Sequence, residues 1–284
     1  MKNKPSFTYQ LLMASRPFSW INTAFPFAAA YLLAGGGINA ILIIGTLFFL
    51  FPYNLVMYGV NDVYDYDSDI RNPRKGGVEG ALVPRQYHQR LMRWIAALSL
   101  PWLVVLSFLA PLLATIWLLI LMIDVIGYSA PPLRLKERPV LDSISSSLHF
   151  VGPAIYALLI TGFESAYWYG LAAFFLWGMA SHAFGAIQDI EPDRDAGLSS
   201  IATVFGSRLT SLLCVALFLL TSAIIGLTYG FIGQLIGAIL LAYPAVVILA
   251  AKRQSFHKGW RGWMWLNLIV GFLITQILIW QFIY

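Results

Sequence analysis

The sequence predicts an all-α, polytopic membrane protein in which nine transmembrane helices surround a central cavity, with aspartate-rich loops on the cytoplasmic face. Of its 284 residues, 59% are hydrophobic and only 11% are charged, and the mean hydropathy is +0.74. Charged residues make up about a quarter of a soluble domain, so a soluble fold is excluded. No linker rich in Pro, Gly or Ser divides the chain. We therefore expect residues 1–284 to form a single domain.

Nine apolar segments account for most of the chain. A helix of about 20 residues spans a hydrocarbon core of about 30 Å, and each segment is close to that length. In chain order, they cover residues 18–36, 38–60, 92–110, 112–130, 142–162, 166–188, 207–227, 231–251 and 262–282. The first resembles the hydrophobic region of a signal peptide, but it is long enough to span and eight more segments follow, so we take it as a helix.

The basic residues predict the orientation of these helices. With nine spans, all 18 Lys and Arg residues fall on one side of the membrane. The short loops on the other side contain no basic residue and one acidic residue, Glu164. This bias predicts a cytoplasmic amino terminus and places Tyr284 outside. The topology explains the net charge of +5, which argues against a nucleic-acid partner. Cys214, the only cysteine, lies in a span, so the sequence predicts neither a disulfide nor a thiolate metal site.

Four aspartates follow the second segment, in NDVYDYDSD at residues 61–69. If that helix continues at about 100° per residue, Asp62, Asp65 and Asp69 share an arc of about 60°, and Asp67 points elsewhere. Three carboxylates on one face repel one another unless a cation binds them. Hard oxygen ligands favour Mg²⁺ or Ca²⁺, and the scarcity of His and Cys argues against zinc. A solvated acidic loop is the alternative, but such a loop needs no shared face.

A second acidic stretch, QDIEPDRDAG at residues 188–197, follows the sixth segment. Asp189 and Asp193 are four residues apart, and we expect them to face the first cluster, although Pro192 disfavours helical geometry at Glu191. Both stretches open with an amide residue followed by aspartate, ND at 61–62 and QD at 188–189. This repeat, four segments apart, suggests two related four-helix halves plus a ninth helix. Basic residues that can pair with phosphate lie near both stretches: Arg71, Arg74, Lys75, Arg134, Lys136, Arg138 and Arg194.

These motifs resemble the UbiA-type intramembrane prenyltransferases. Residues 61–69 fit the family's N-D-x-x-D-x-x-x-D signature, and Asp189 with Asp193 fits its second D-x-x-x-D motif. YSAPPLRLK at 128–136 and SRPFSW at 15–20 are similar to two further family segments. The resemblance implies Mg²⁺-dependent transfer of an isoprenoid from its diphosphate to a lipophilic acceptor, in a cavity open to the bilayer. It implies that metal and diphosphate are organised by Asn61, Asp62, Asp65, Asp69, Asp189 and Asp193, and that Arg16, Arg74, Tyr128, Ser129 and Lys136 contact diphosphate oxygens.

The run NDVYDYDSDIRNPRKGGVEGAL at 61–82 looks most like the lycopene elongases of C50 carotenoid synthesis. That resemblance implies dimethylallyl diphosphate as donor and lycopene, or a related linear carotenoid, as acceptor. KGGVEGALVP stands where quinone-pathway members carry an R-P-L segment, which argues against a hydroxybenzoate-type acceptor. Another prenyl acceptor, a quinone precursor or a tetrapyrrole, stays open. A secondary transporter is a further alternative, but transporter sites usually lie near the bilayer midplane, and these acids lie at helix ends.

The reaction that this resemblance implies needs a base or a positioned water, and the polar candidates inside the apolar segments are Asn54, Asp124, His149 and His182. Asn54 shares a helix face with Asn61, so we expect it to line the cavity. Asp124 lies one turn, about 6 Å, deeper than Tyr128. A carboxylate inside the membrane is costly and usually faces a cavity or a partner, so we expect Asp124 to help manage the carbocation left after coupling. The alternative is a structural hydrogen bond to His149, His182 or a neighbouring helix. For either histidine we expect a helix-to-helix hydrogen bond.

Overall fold

The computed structural model describes residues 6–72 and 82–283, with side chains described as far as Gln281. Throughout these ranges the regular structure is helical, and they contain no strand. The α-helices are α1 (Phe7–Ala14), α2 (Ile21–Leu33), α3 (Ala40–Leu50), α4 (Pro52–Tyr64), α5 (Tyr66–Asp69), α6 (His88–Leu109), α7 (Leu112–Ser129), α8 (Leu141–Thr161), α9 (Tyr167–Ile187), α10 (Ile190–Asp195), α11 (Ile201–Thr228), α12 (Gly230–Leu240), α13 (Ala242–Lys252) and α14 (Phe256–Ile283).

Eight of the predicted segments form helices that are long and apolar enough to cross a membrane, counted over the described ranges. Two of these spans consist of a pair of helices, α3 with α4 and α12 with α13. The first predicted segment, 18–36, forms the 13-residue α2, which is apolar but shorter than the others. The all-helical, polytopic prediction is confirmed, and the count of nine spans is approximate.

The second span bends at Phe51, between α3 and α4. Pro52 occupies the first position of α4, where its missing N–H removes no helical hydrogen bond. The Asn54 amide donates to the carbonyl oxygens of Phe49 (2.8 Å) and Leu50 (3.1 Å), next to the bend. It also donates to Thr23 Oγ1 of α2 at 2.7 Å. Asn54 is fully buried, and its hydrogen bonds stabilise the bend. The prediction that it lines the cavity stays a prediction.

The chain divides into two compact units, and the boundary at Arg134 falls between the fourth and fifth predicted spans. The first unit contains the described residues up to Arg134 together with Tyr156–Thr161, the end of α8. Its core is aromatic: the rings of Phe27 and Phe49 lie 5.1 Å apart, and Tyr156 lies against both. Single-domain behaviour stays a prediction.

The second unit contains Leu135–Ile155 and the residues from Gly162 onward. Its helices α8 and α9 approach closely because Gly178 has no side chain: a Cβ there would lie 2.3 Å from Ser147 Oγ. Ser147 donates to the carbonyl of Phe175 at 2.5 Å across the same contact. At the end of α9, Trp260 of α14 covers Gly185. These contacts fix the end of α9, where the second aspartate motif begins.

Candidate active site

The first aspartate motif lies where α4 ends. The sequence predicts one helix through Asp69, which is wrong in detail: α4 ends at Tyr64, and Asp65 (φ −100°, ψ 1°) separates it from the single turn of α5. Backbone bonds from Asp65 N–H to Asn61 O (2.9 Å) and from Asp69 N–H to Asp65 O (2.8 Å) preserve the four-residue spacing across the break. The three carboxylates therefore still share one face.

Burial separates the four aspartates as the helical spacing predicts. Asp62, Asp65 and Asp69 are 1%, 6% and 7% exposed. The Asp67 side chain is 70% exposed and forms an ion pair with Arg85, which is exposed as well. The buried carboxylates form one row, and Asp67 stands outside it.

Arg16 pairs with the first carboxylate of this row. Its Nη2 donates to Asp62 Oδ1 at 2.7 Å, and its Cζ lies 4.6 Å from the centroid of the Tyr58 ring. Arg16 reaches this position from the bend after α1, where its φ of 48° is left-handed. Burial alone would lower the pKa of this guanidinium, but the negative charges around it, of which Asp62 contributes most, outweigh that effect and raise the pKa. The predicted diphosphate residue Arg16 is thus a permanent positive charge beside the motif.

Asn61 joins the motif to the end of α7. Its side-chain amide donates to Asp65 Oδ2 and to Ser129 Oγ, the latter at 2.9 Å. Arg134 approaches the same carboxylate, with Nη2 4.0 Å from Asp65 Oδ1, and donates to the Ser129 carbonyl at 3.3 Å. The structure therefore brings Asn61 and Ser129 into direct contact, and the site roles predicted for them stay predictions. It adds Arg134, which the sequence indicated only as one of seven basic residues near the two acidic stretches.

The structure shows no contact of this cluster with the other three predicted diphosphate residues, Tyr128, Lys136 and Arg74, among the contacts it describes within the first unit. Tyr128 is half-buried at the end of α7, next to Ser129. Lys136 is half-buried in the short turn Leu135–Glu137, which belongs to the second unit. Arg74 lies outside the described residues.

The second aspartate motif starts at Asp189, two residues after the end of α9. Asp193 N–H donates to Asp189 O at 2.8 Å, so the two aspartates keep the helical spacing of four. The expectation that Pro192 disturbs helical geometry at Glu191 is wrong, because both residues lie in the first turn of α10, where a proline is tolerated. Next to the motif, Gln188 Oε1 lies 3.0 Å from His257 Nδ1 of α14. Asp189 and Asp193 are half-buried, and both belong to the second unit.

Of the polar residues inside the spans, Asp124 is half-buried on α7 and interacts electrostatically with Tyr53 of α4. His182 of α9 has the helix-to-helix partner that the sequence predicts, since its Nε2 lies 3.5 Å from Asp142 Oδ2 of α8. Asp142 was missed by the sequence analysis, although an acid at the edge of an apolar segment is a signal of the same kind as Asp124.

The three buried carboxylates of the first motif are of a type that suits a hard divalent cation. Within the described ranges, no group of three or more His, Cys, Asp or Glu residues has metal-binding spacing. Mg²⁺ usually takes one or two carboxylates and completes its shell with water and phosphate oxygens, so a tighter protein cluster is not required. The buried row of Asp62, Asp65 and Asp69 supplies oxygen donors of this type. The donor set therefore fits Mg²⁺ that arrives with a diphosphate.

The sequence profile described as the UbiA prenyltransferase family matches residues 23–269. The chain belongs to this family. A lycopene elongase/hydratase of Corynebacterium glutamicum is 47% identical over 277 residues, which cover 95% of this chain and 96% of that protein. A lycopene elongase/hydratase of Haloferax volcanii is 34% identical and covers 96% and 89%. A UbiA homolog from Archaeoglobus fulgidus, solved with DMAPP and Mg²⁺, has a TM-score of 0.67 at 20% identity and covers 94% of this chain and 99% of that one.

Family membership confirms that the protein is a prenyltransferase, and its helices make it a multi-pass integral membrane protein. The Archaeoglobus structure confirms the fold alone, because its sequence identity is low. Because the chain belongs to a prenyltransferase family, the secondary-transporter alternative is set aside.

Proposed function

We propose that this UbiA-family enzyme transfers a dimethylallyl group from its diphosphate to lycopene or a related linear carotenoid, with Mg²⁺ as cofactor. The observation that supports a carotenoid acceptor is the 47% identity to a lycopene elongase/hydratase, over nearly the full length of both chains. The donor and metal agree with those bound to the Archaeoglobus homolog of the same fold. A quinone precursor or tetrapyrrole as acceptor remains an alternative without a specific observation in its favour.

In this proposal the two motifs hold the diphosphate end of the donor. Mg²⁺, when bound, supplies positive charge that stabilises the departing diphosphate. It would be held by Asp62, Asp65, Asp69, Asp189 and Asp193. Arg16 and Arg134 add fixed positive charge beside the first motif, and Asn61 fixes the orientation of the Asp65 carboxylate. Ser129, Tyr128, Lys136 and Arg74 complete the proposed set of diphosphate contacts.

The isoprenyl end of the donor becomes a delocalised cation when the diphosphate departs. Apolar walls keep water away from that cation, and aromatic faces stabilise it by cation-π contact. We assign Asp124 to this end of the site, because it lies one turn deeper in α7 than Tyr128. Its negative charge would stabilise the carbocation that remains on the acceptor after coupling.

We further propose that both motifs face the cytoplasm, with the amino terminus inside and Tyr284 outside. Support comes from the position of all 18 basic residues on one side of the predicted spans. The diphosphate donor would then enter the site from the cytoplasm. The carotenoid would enter from the bilayer, whose lipids surround the helices.

Product analysis with purified protein tests the proposal. The enzyme is reconstituted in lipid nanodiscs with lycopene and dimethylallyl diphosphate. The products are separated by chromatography and identified by mass spectrometry. We expect one and then two five-carbon units to be added with MgCl₂ and no product in excess EDTA. Full activity in EDTA would contradict the metal role. Unchanged lycopene alongside prenylation of a quinone precursor or tetrapyrrole would contradict the acceptor.

A further inference from the structure

Both aspartate motifs contain the same break in helical geometry. Asp65 (φ −100°, ψ 1°) separates α4 from α5, and Asp189 (φ −98°, ψ 1°) separates α9 from α10. In each motif, the N–H of the aspartate four residues later donates to the carbonyl oxygen of this residue at 2.8 Å. The backbone at the break therefore sets the direction of the turn that carries the next carboxylate.

The two motifs differ in the residue that precedes the break by four positions. In the first motif this residue is Asn61, whose amide donates to Asp65 Oδ2. In the second motif it is Gly185, which has no side chain. A Cβ at Gly185 would lie 3.0 Å from the ring of Trp260, which belongs to α14. The second motif therefore cannot orient its break from this position, and α14 covers the helix there instead.

Three contacts fasten the first turns of α14 to the end of α9. The ring of Trp260 meets that of Phe184 edge-on, with centroids 6.0 Å apart. Gly259 also lies against this ring, since a Cβ there would be 3.3 Å from Phe184 Cζ. The third contact is polar and joins His257 Nδ1 to Gln188 Oε1 at 3.0 Å. It is the contact nearest to the break, because Gln188 directly precedes it.

The contact with His257 holds the Gln188 amide at one end. Nδ1–H donates to Oε1, and if the amide were turned over, its NH₂ would donate to Nδ1 and the contact would be kept. The other end of the amide, Nε2, is buried and has no hydrogen-bond partner among the described residues. His257 is exposed, so water can replace it as a donor. Water is not attached to α14, however, and would not hold the amide in one position.

We propose that His257 is a positioning residue for the second aspartate motif. Through Gln188 it fixes the helix break at Asp189, and so it keeps Asp189 and Asp193 in the arrangement that binds metal and diphosphate. The inference rests on the proposed function, in which these two carboxylates help to hold Mg²⁺. In this way α14 contributes to the site without supplying a ligand.

The experiment measures binding separately from turnover. Wild-type protein, His257→Leu and His257→Asn are placed in nanodiscs with MgCl₂ and titrated calorimetrically with dimethylallyl S-thiolodiphosphate, a donor analogue that loses its diphosphate slowly. We expect His257→Leu to weaken binding of the analogue about three- to tenfold, the change that corresponds to one lost hydrogen bond. His257→Asn places an amide nitrogen near the position of Nδ1, so it should restore binding to within about twofold of wild type.

Lys258→Leu is the matched control, because it introduces the same side chain at the next exposed position of α14. It should leave binding of the analogue unchanged in about 0.15 M salt, where charges more than about 8 Å apart are largely screened. A double variant tests the route through the amide. His257→Leu combined with Gln188→Leu should bind the analogue no more weakly than Gln188→Leu alone, because both changes remove one contact.

Wild-type binding in His257→Leu would overturn the inference. So would a loss that His257→Asn does not restore, or an equal loss in Lys258→Leu. Additive losses in the double variant would also overturn it, since the histidine would then act on a group other than Gln188. Wild-type protein that does not bind the analogue in MgCl₂ would instead contradict the proposed function. The failures of the two proposals can therefore be told apart.

Discussion

At the scale of single residues, burial decides what each aspartate of the first motif can do. Asp65 is 6% exposed and is held by Asn61, whereas the Asp67 side chain is 70% exposed and paired with Arg85 at the surface. A buried, oriented carboxylate can stabilise a bound cation strongly because water does not screen it. An exposed ion pair contributes little.

The first prediction compares these two neighbours. Asp65→Asn should lower prenyl transfer by on the order of 100-fold, because it removes a preorganised charge from the site. Asp67→Asn, the matched control two residues away, should change the rate by less than about threefold. Initial rates of diphosphate release measure both. Equal losses in the two variants would contradict the assignment of the buried row as the functional one.

The second prediction concerns Asp124. Asp124→Asn keeps the shape of the side chain and removes its charge. If the carboxylate stabilises the carbocation, the rate of coupling should fall by about tenfold, with the donor KM little changed, because only the transition state is affected. Single-turnover kinetics with labelled donor would measure this. A wild-type rate and product pattern would leave Asp124 with a purely structural role beside Tyr53.

At the scale of helices, close packing in the second unit depends on single small residues. Helices α8 and α9 meet at Gly178, where a Cβ would lie 2.3 Å from Ser147 Oγ and 3.0 Å from the backbone Cα of the same serine. The backbone atom cannot move without shifting the whole helix. The contact between the two helices therefore fixes how His182 meets Asp142.

The third prediction follows from that contact. Gly178→Ala should lower the free energy of unfolding by about 1 to 3 kcal/mol, the usual cost of overpacking. Gly262→Ala in α14 is the control: nothing lies within 4 Å of the added Cβ, so the change should be neutral or stabilising. Thermal unfolding in detergent, followed by circular dichroism, measures both. Ser147→Gly combined with Gly178→Ala should recover part of the loss, and equal effects of the two alanines would contradict the packing argument.

At the scale of the whole molecule, orientation in the membrane is the property most open to a direct test. The fourth prediction uses single cysteines in a Cys214→Ala background, which removes the one native thiol. Glu164→Cys should react with a membrane-impermeant maleimide from outside the cell. Arg138→Cys should react only after permeabilisation, because positive residues stay in the cytoplasm. Labelling of Arg138→Cys in intact cells would overturn the proposed topology.

Much of this protein could be predicted because its determinants are local in sequence. Apolar length defines the helices, and the spacing of three, four and seven residues places Asp62, Asp65 and Asp69 on one face whatever the rest of the chain does. The count of nine spans is approximate, because α2 is shorter than its apolar segment. The break at Asp65 could not be read from composition either, because a single residue leaving helical geometry gives no periodic signal.

Only the tertiary structure decided which distant residues meet. Arg16 pairs with Asp62 across 46 residues, Asn61 reaches Ser129 across 68, and Asp142 receives the N–H of Ile201 across 59. Such contacts depend on how helices pack, and packing is set by side-chain shape at positions such as Gly178 rather than by any repeating pattern. The sequence by itself therefore determined the helices, the face that carries the carboxylates and the family. Folding decided the partner of each charge, because a buried charge is stable only where a complementary group is brought to it.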